Sequence, residues 1–155
     1  MSDEDDFFGD GTNADEAPPD NRHGGRQVAL QALYSQQSAA VDARIALDEL
    51  CLRFALSDEV RMFAANLLQN ATDHVDELDE LAAAMAKNWS WNRIARIDRL
   101  ILRLALAEML FIEEIPVRVS IDEAIELAKS YSTDKSYSFV NGVLDGVVRQ
   151  KGLVV

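Results

Sequence analysis

"RIARIDRLILRLALAEMLFIEE", Arg93 to Glu114, decides how the rest of the chain is read. Its second half is apolar nearly all round, and a helix with no polar face has to be surrounded by other elements. Pro116 closes it, because the residue before a proline is pushed out of the helical region. The flanking segments supply the surroundings, and their period is also helical. "RQVALQALYSQQ", from Arg26, carries Val28, Leu30 or Ala32, and Leu33 on one stripe. "DARIALDELCLRFA" places Ile45, Leu47, Leu50, Cys51 and Phe54 at apolar positions. Ser57 reads as an N-cap, with Asp58 and Glu59 well placed against the helix dipole. It opens a long segment running from Val60 to Met85, with a break expected near Asn70 to Asp73. "KNWSWN" then interrupts the pattern. Beyond Pro116, "SIDE" at Ser120 to Glu123 has the spacing of a capping box and is expected to start the next helix. "STDKS" is a turn, and "SFVNGVLDGVVRQ" is the last helix. No β-alternation of useful length and no internal repeat occur, so the fold class is all-α.

Composition narrows the function. The 155 residues fit one domain. No apolar run approaches the roughly 20 residues that cross a bilayer. A lone cysteine, Cys51, excludes an internal disulfide framework, and a cytoplasmic location is expected. The net charge of −12 argues against nucleic-acid binding at first. Eight acids precede the first base, Arg22, however, and without them the balance is −4. Residues 1–21 are expected to form a disordered acidic tail and residues 22–155 the helical domain. Within that tail, Phe7 and Phe8 stand among acids, either as a docking motif or as part of a featureless segment.

Enzyme and metal signatures are missing. There is no glycine-rich phosphate loop. His23 and His74 have no ligand-spaced companions, and no cofactor is expected. Ser132 and Lys135 form an isolated S-x-x-K in a polar turn. Asp122, Glu123 and Glu126 fit a first-turn cap and a solvated face. What remains is basic. Arg22, His23 and Arg26 cluster before the first helix. Arg96, Arg99 and Arg103 share a helical face, which could hold phosphates or be a solvated, salt-bridged face. Phe139 follows a turn bearing Lys135 and Tyr137, where it could stack on a base or anchor the core. Gly142 and Gly146, at i and i+4, are expected to let a neighbouring helix come close.

The order of "RQVALQALYSQ", "IDRLILRLALAEM" and "VSIDEAIELAKSYSTDKSYSFVNGVLD" resembles the bacterial NusB family of transcription antitermination factors, over about residues 22–148. The resemblance implies six to seven helices in two small bundles and no catalysis. It implies binding to boxA RNA together with the ribosomal protein NusE. It further implies entry into the RNA polymerase elongation complex with NusA and NusG, in support of ribosomal RNA transcription. Site roles carried over from it are RNA contact for Arg22, His23, Arg26, Arg99, Arg103, Lys135 and Phe139, and NusE contact for Tyr34 and Asp98. Gly24 and Gly25 stand where the family usually has Arg or Ala. Arg26→Ala is expected to weaken RNA binding without lowering helical stability. Two alternatives keep the fold: a helical protein-interaction module with weak or lost RNA binding, and the RNA-binding front end of an rRNA cytosine methyltransferase. The second needs a further catalytic domain, and the end of the sequence at Val155 makes it the less expected of the two. A homodimer is left open.

Overall fold

A computed structural model describes residues 16–133 and 135–155, and these residues contain seven α-helices and no strand. They are α1 (Arg22–Ala39), α2 (Ala43–Arg53), α3 (Asp58–Asp73), α4 (Val75–Met85), α5 (Arg96–Phe111), α6 (Val117–Tyr131) and α7 (Ser136–Lys151). A short 3₁₀ turn, Trp91–Arg93, joins α4 to α5. Helices α1, α2 and α3 pack on one another as a first bundle, and α4, α5, α6 and α7 as a second. The apolar α5 belongs to both, since it also touches α1 and α3. Leu100, Ile101, Leu102 and Leu106 on it are fully buried, as its all-round hydrophobicity requires.

Local chemistry sets the boundaries. Asn21 caps α1, its side chain accepting from the Gly24 amide at 3.0 Å, so this helix begins four residues earlier than Arg26. Ser57 caps α3 by accepting from the Val60 amide, as its position predicts. The break expected near 70–73 falls at His74, between α3 and α4. Helix α7 ends on Gly152 in the left-handed region, with the Leu153 amide bonded to the Val148 carbonyl and that of Gly152 to Arg149.

Three expectations are corrected. Ser120 is not the cap of a capping box: α6 starts at Val117, and the Ser120 hydroxyl is buried and donates to Glu108 at 2.6 Å. Pro116, with its fixed φ, precedes that start, so the helix has no need of the later signal. Ile45 is an exposed residue of α2, whose buried face is Ala43, Ala46, Leu47 and Cys51. Gly142 makes no close helix contact, for a β-carbon there would meet nothing within 4 Å, whereas one at Gly146 would lie 2.7 Å from Met85 Sδ.

The reading of residues 1–15 as disordered lies outside the described residues. Residues 16–21 make defined contacts: Pro18 is buried, and Asp20 accepts from the Ser57 amide at 2.9 Å. The Pro19 carbonyl comes so close to α1 that a β-carbon at Gly24 would overlap it at 1.8 Å. Gly24 therefore occupies a place no side chain fits.

Candidate nucleic-acid interface

The basic residues at the start of α1 divide by burial. Arg22 is exposed, with its guanidinium 5.4 Å from the centre of the Phe63 ring. Arg26 is only 4 % exposed. Its Nε donates to Glu108 Oε1 at 2.7 Å and a terminal nitrogen donates to Oε2 at 3.0 Å. This is the bidentate geometry in which a planar guanidinium binds a carboxylate most strongly. His23 pairs through Nδ1 with Glu123 Oε2 at 2.6 Å, and the other oxygen of Glu123 lies 3.6 Å from Arg26. Glu123, expected on a solvated face, thus belongs to a polar network running from His23 through Arg26 to Glu108 and Ser120. Arg26 is buried and its guanidinium is held by Glu108, with Glu123 nearby, which removes the basis for expecting a stability-neutral Arg26→Ala.

A similar division holds on α5. Arg103 makes a bidentate pair with Asp79 of α4, at 2.9 and 2.8 Å, and is 11 % exposed at its side chain. It clamps α4 to α5. Arg99 is partly exposed, and Arg96 donates to the Ser38 hydroxyl at 3.2 Å while lying 5.9 Å from the Tyr34 ring. The three arginines expected on one face are therefore not equivalent cations.

The α6–α7 turn borders an opening. Lys135 is exposed and Phe139 is half-buried. Phe139 meets the exposed Trp89 edge to face, with ring centres 5.5 Å apart. Between them and the end of α4 lies a groove of about 650 Å³, floored by Met85, Ala86 and Val143 and bordered by Lys135 and Gly142. Among its described lining residues there is one cation and no acid. Sequence reasoning found Phe139 and Lys135 but missed Trp89. The signal available was "KNWSWN", an interruption of helix pattern that holds two tryptophans.

Tyr34 and Asp98 lie close to the end of α1 and the start of α5, and both are buried. Ser136, at the start of α7, donates to Asp98 Oδ2 at 2.9 Å, while Oδ1 has no hydrogen-bond partner among the described residues. Burial pushes the Asp98 carboxyl above the usual carboxylate range, with the Ser132 and Ser136 hydroxyls pulling it back. No group of His, Cys, Asp and Glu among the described residues is arranged to hold a metal ion. No helix among them is long and apolar enough to cross a membrane.

Residues 23–149 match the family described as the NusB family. The chain belongs to that family. The transcription antitermination protein NusB of Salinibacter ruber (strain DSM 13855 / M31) is 42 % identical over 130 residues, which cover 83 % of this chain and 81 % of that protein. NusB of Geobacter sulfurreducens (strain ATCC 51573 / DSM 12127 / PCA) is 42 % identical over 127 residues, 79 % of this chain and 90 % of that one. Among solved structures, T. maritima NusB superposes with a TM-score of 0.78 at 34 % identity, covering 84 % of this chain and 92 % of its own. A chain of the crystal structure of antitermination factors NusB and NusE in complex with dsRNA has a TM-score of 0.75 at 25 % identity, covering 83 % and 96 %. The all-α fold is that of the NusB family, and the protein is an antitermination factor rather than an enzyme.

Proposed function

We propose that this NusB-family chain binds single-stranded boxA RNA together with NusE. In this reading the pair enters the RNA polymerase elongation complex with NusA and NusG and supports ribosomal RNA transcription. The observation that carries the RNA reading is the groove between Trp89 and Phe139, aromatic on two sides and cationic at Lys135, with no acid among its described lining residues. An unstacked base needs an aromatic face, and its phosphate needs a nearby cation. Gly142 leaves the α7 backbone bare at the border, so a flat ring can approach it closely. A NusB relative in complex with NusE and double-stranded RNA supports the choice of partners.

The residues then take different roles. Lys135, Phe139, Arg22, His23 and Arg99 make RNA contacts. Arg26 and Arg103 position the helices that carry those contacts, because carboxylates already engage them. Glu123, the partner of His23, precedes Tyr131 on α6 by about 12 Å of helix, so Arg22 and His23 lie within one short strand of the α6–α7 turn. NusE docks over the end of α1 and the start of α5. Tyr34 and Asp98 shape that surface from beneath, with Arg96 and Ser38 above them.

Fluorescence anisotropy with a boxA RNA oligonucleotide, with and without NusE, tests the reading. Binding is expected to be weak alone and tighter with NusE. Phe139→Ala should weaken it by roughly tenfold or more, the size of one lost base stack. No binding at low salt with NusE present would end the RNA assignment.

A further inference from the structure

Three exposed openings or patches differ in charge. The groove beside Phe63 and Met62 is flanked by Asp20, Glu59 and Glu114. The apolar outer face of α2, with Ile45 and Leu52, also carries Asp48 and Glu49. Among these, the Trp89–Phe139 groove has a cation and no acid among its described lining residues. Lys87, next in the chain to Ala86, adds a second exposed cation at its end.

The segment "DEDDFFGD", Asp3 to Asp10, has the complementary chemistry: two adjacent aromatic rings between five acids. The described chain starts at Glu16, which lies beside Ser130 and Tyr131 at the end of α6, the end that leads into the turn carrying Lys135. Phe8 is eight residues from Glu16, a reach of up to about 27 Å, and Lys135 is only four residues beyond Tyr131, so the groove is within range. Phe7 and Phe8 match what a base offers to Trp89 and Phe139, and the flanking carboxylates match what a phosphate offers to Lys135 and Lys87.

We propose that residues Asp3–Asp10 of this same chain occupy the Trp89–Phe139 groove and compete there with RNA. The docking stands on the groove and the segment alone; only the competition rests on the RNA reading above. Docking in cis draws on an effective concentration near the millimolar range, so even a weak contact fills a good share of the groove. RNA then binds with an affinity reduced by the fraction occupied.

A spin label on the full chain tests this. Cys51 is 2 % exposed and burial holds its thiol pKa up, so a nitroxide placed on Gly9→Cys labels one site. The label is expected to broaden the NMR amide signals of Lys135, Phe139 and Gly142. Adding Phe7→Ser and Phe8→Ser should restore them. Sharp signals at all three residues, or broadening that survives both serine changes, would overturn the docking. Saturating boxA RNA, monitored by anisotropy, should also restore the signals, and the two serine changes should tighten RNA binding by roughly two- to tenfold. Signals that stay broad with RNA bound would overturn the competition while leaving the docking in place. Failure of RNA to bind at all would sink the RNA reading without altering the spin-label result.

Discussion

A β-carbon added at Gly146 would sit 2.7 Å from Met85 Sδ and 3.3 Å from Met85 Cβ, whereas at Gly142 it would enter open space. The two glycines therefore differ: Gly146 answers to the close packing of α4 on α7, while Gly142 borders the groove under no packing constraint. Gly142→Ala should raise stability by about 1 kcal/mol through helix propensity alone. Gly146→Ala should fall about 1–3 kcal/mol below it, because Met85 must move in a packed interface. Urea unfolding of both variants measures the gap, and equal midpoints would refute it. If the groove holds RNA, Gly142→Ala should also weaken boxA binding despite the added stability. Asp98 gives a prediction in pH. Its folded-state pKa is raised by burial, so its contribution to stability is fully present below the unfolded-state pKa and is lost as pH rises through the folded one. Asp98→Asn removes that titration. The stability of the parent relative to the variant should therefore decline from acid to neutral pH, and a difference that grows with pH would contradict the burial argument.

Helix α2 ends on a residue whose chemistry does not suit its backbone. Ala55 has φ 52°, with its amide bonded to the Leu52 carbonyl and the Leu56 amide bonded to Cys51. This is a glycine-type helix stop occupied by alanine. The left-handed region costs a non-glycine residue about 1–2 kcal/mol. Ala55 is exposed, so Ala55→Gly removes no buried contact and should stabilise by about 1 kcal/mol, somewhat offset by the looser unfolded chain. Thermal unfolding should show a higher Tm; a lower one would mean that the turn gains from the alanine. The same helix shows where sequence legibility ends. The α5 pattern, the Ser57 cap and the break before His74 could be read because each depends on residues close in sequence. The buried face of α2 could not, because small residues, Ala43 and Ala46, fill it and larger Ile45 faces out. Nor could the role of Ser120, whose partner Glu108 comes from another helix, twelve residues earlier. In the candidate interface, Phe139 and Lys135 were legible as local chemistry. Trp89 was not, since its pairing with Phe139 joins segments fifty residues apart.

At the scale of the whole molecule, Arg26 and Glu108 connect the first bundle to the central helix through a pair that is almost fully buried, at 4 % and 2 % exposure. Burying two charges is costly, and the cost is recovered only while both partners and their extra hydrogen bonds remain. Here Ser120 supplies one such bond to Glu108, and Glu123 lies near the other side of Arg26. Arg26→Ala or Glu108→Ala alone should therefore lose about 3–5 kcal/mol, since each strands an uncompensated charge. Arg26→Met combined with Glu108→Leu should lose far less than the sum of the two, or nothing. Chemical denaturation of Arg26→Met, Glu108→Leu and their double, read as a mutant cycle, measures this coupling. The same set separates structure from recognition. If Arg26 acts only by holding α1 in place, the Met–Leu double variant should fold and retain boxA affinity with NusE. A stable double variant that lost RNA binding would return Arg26 to the interface as a direct contact. A double variant with additive losses would mean that the two charges act independently, and that α1 is held to α5 by its apolar contacts instead.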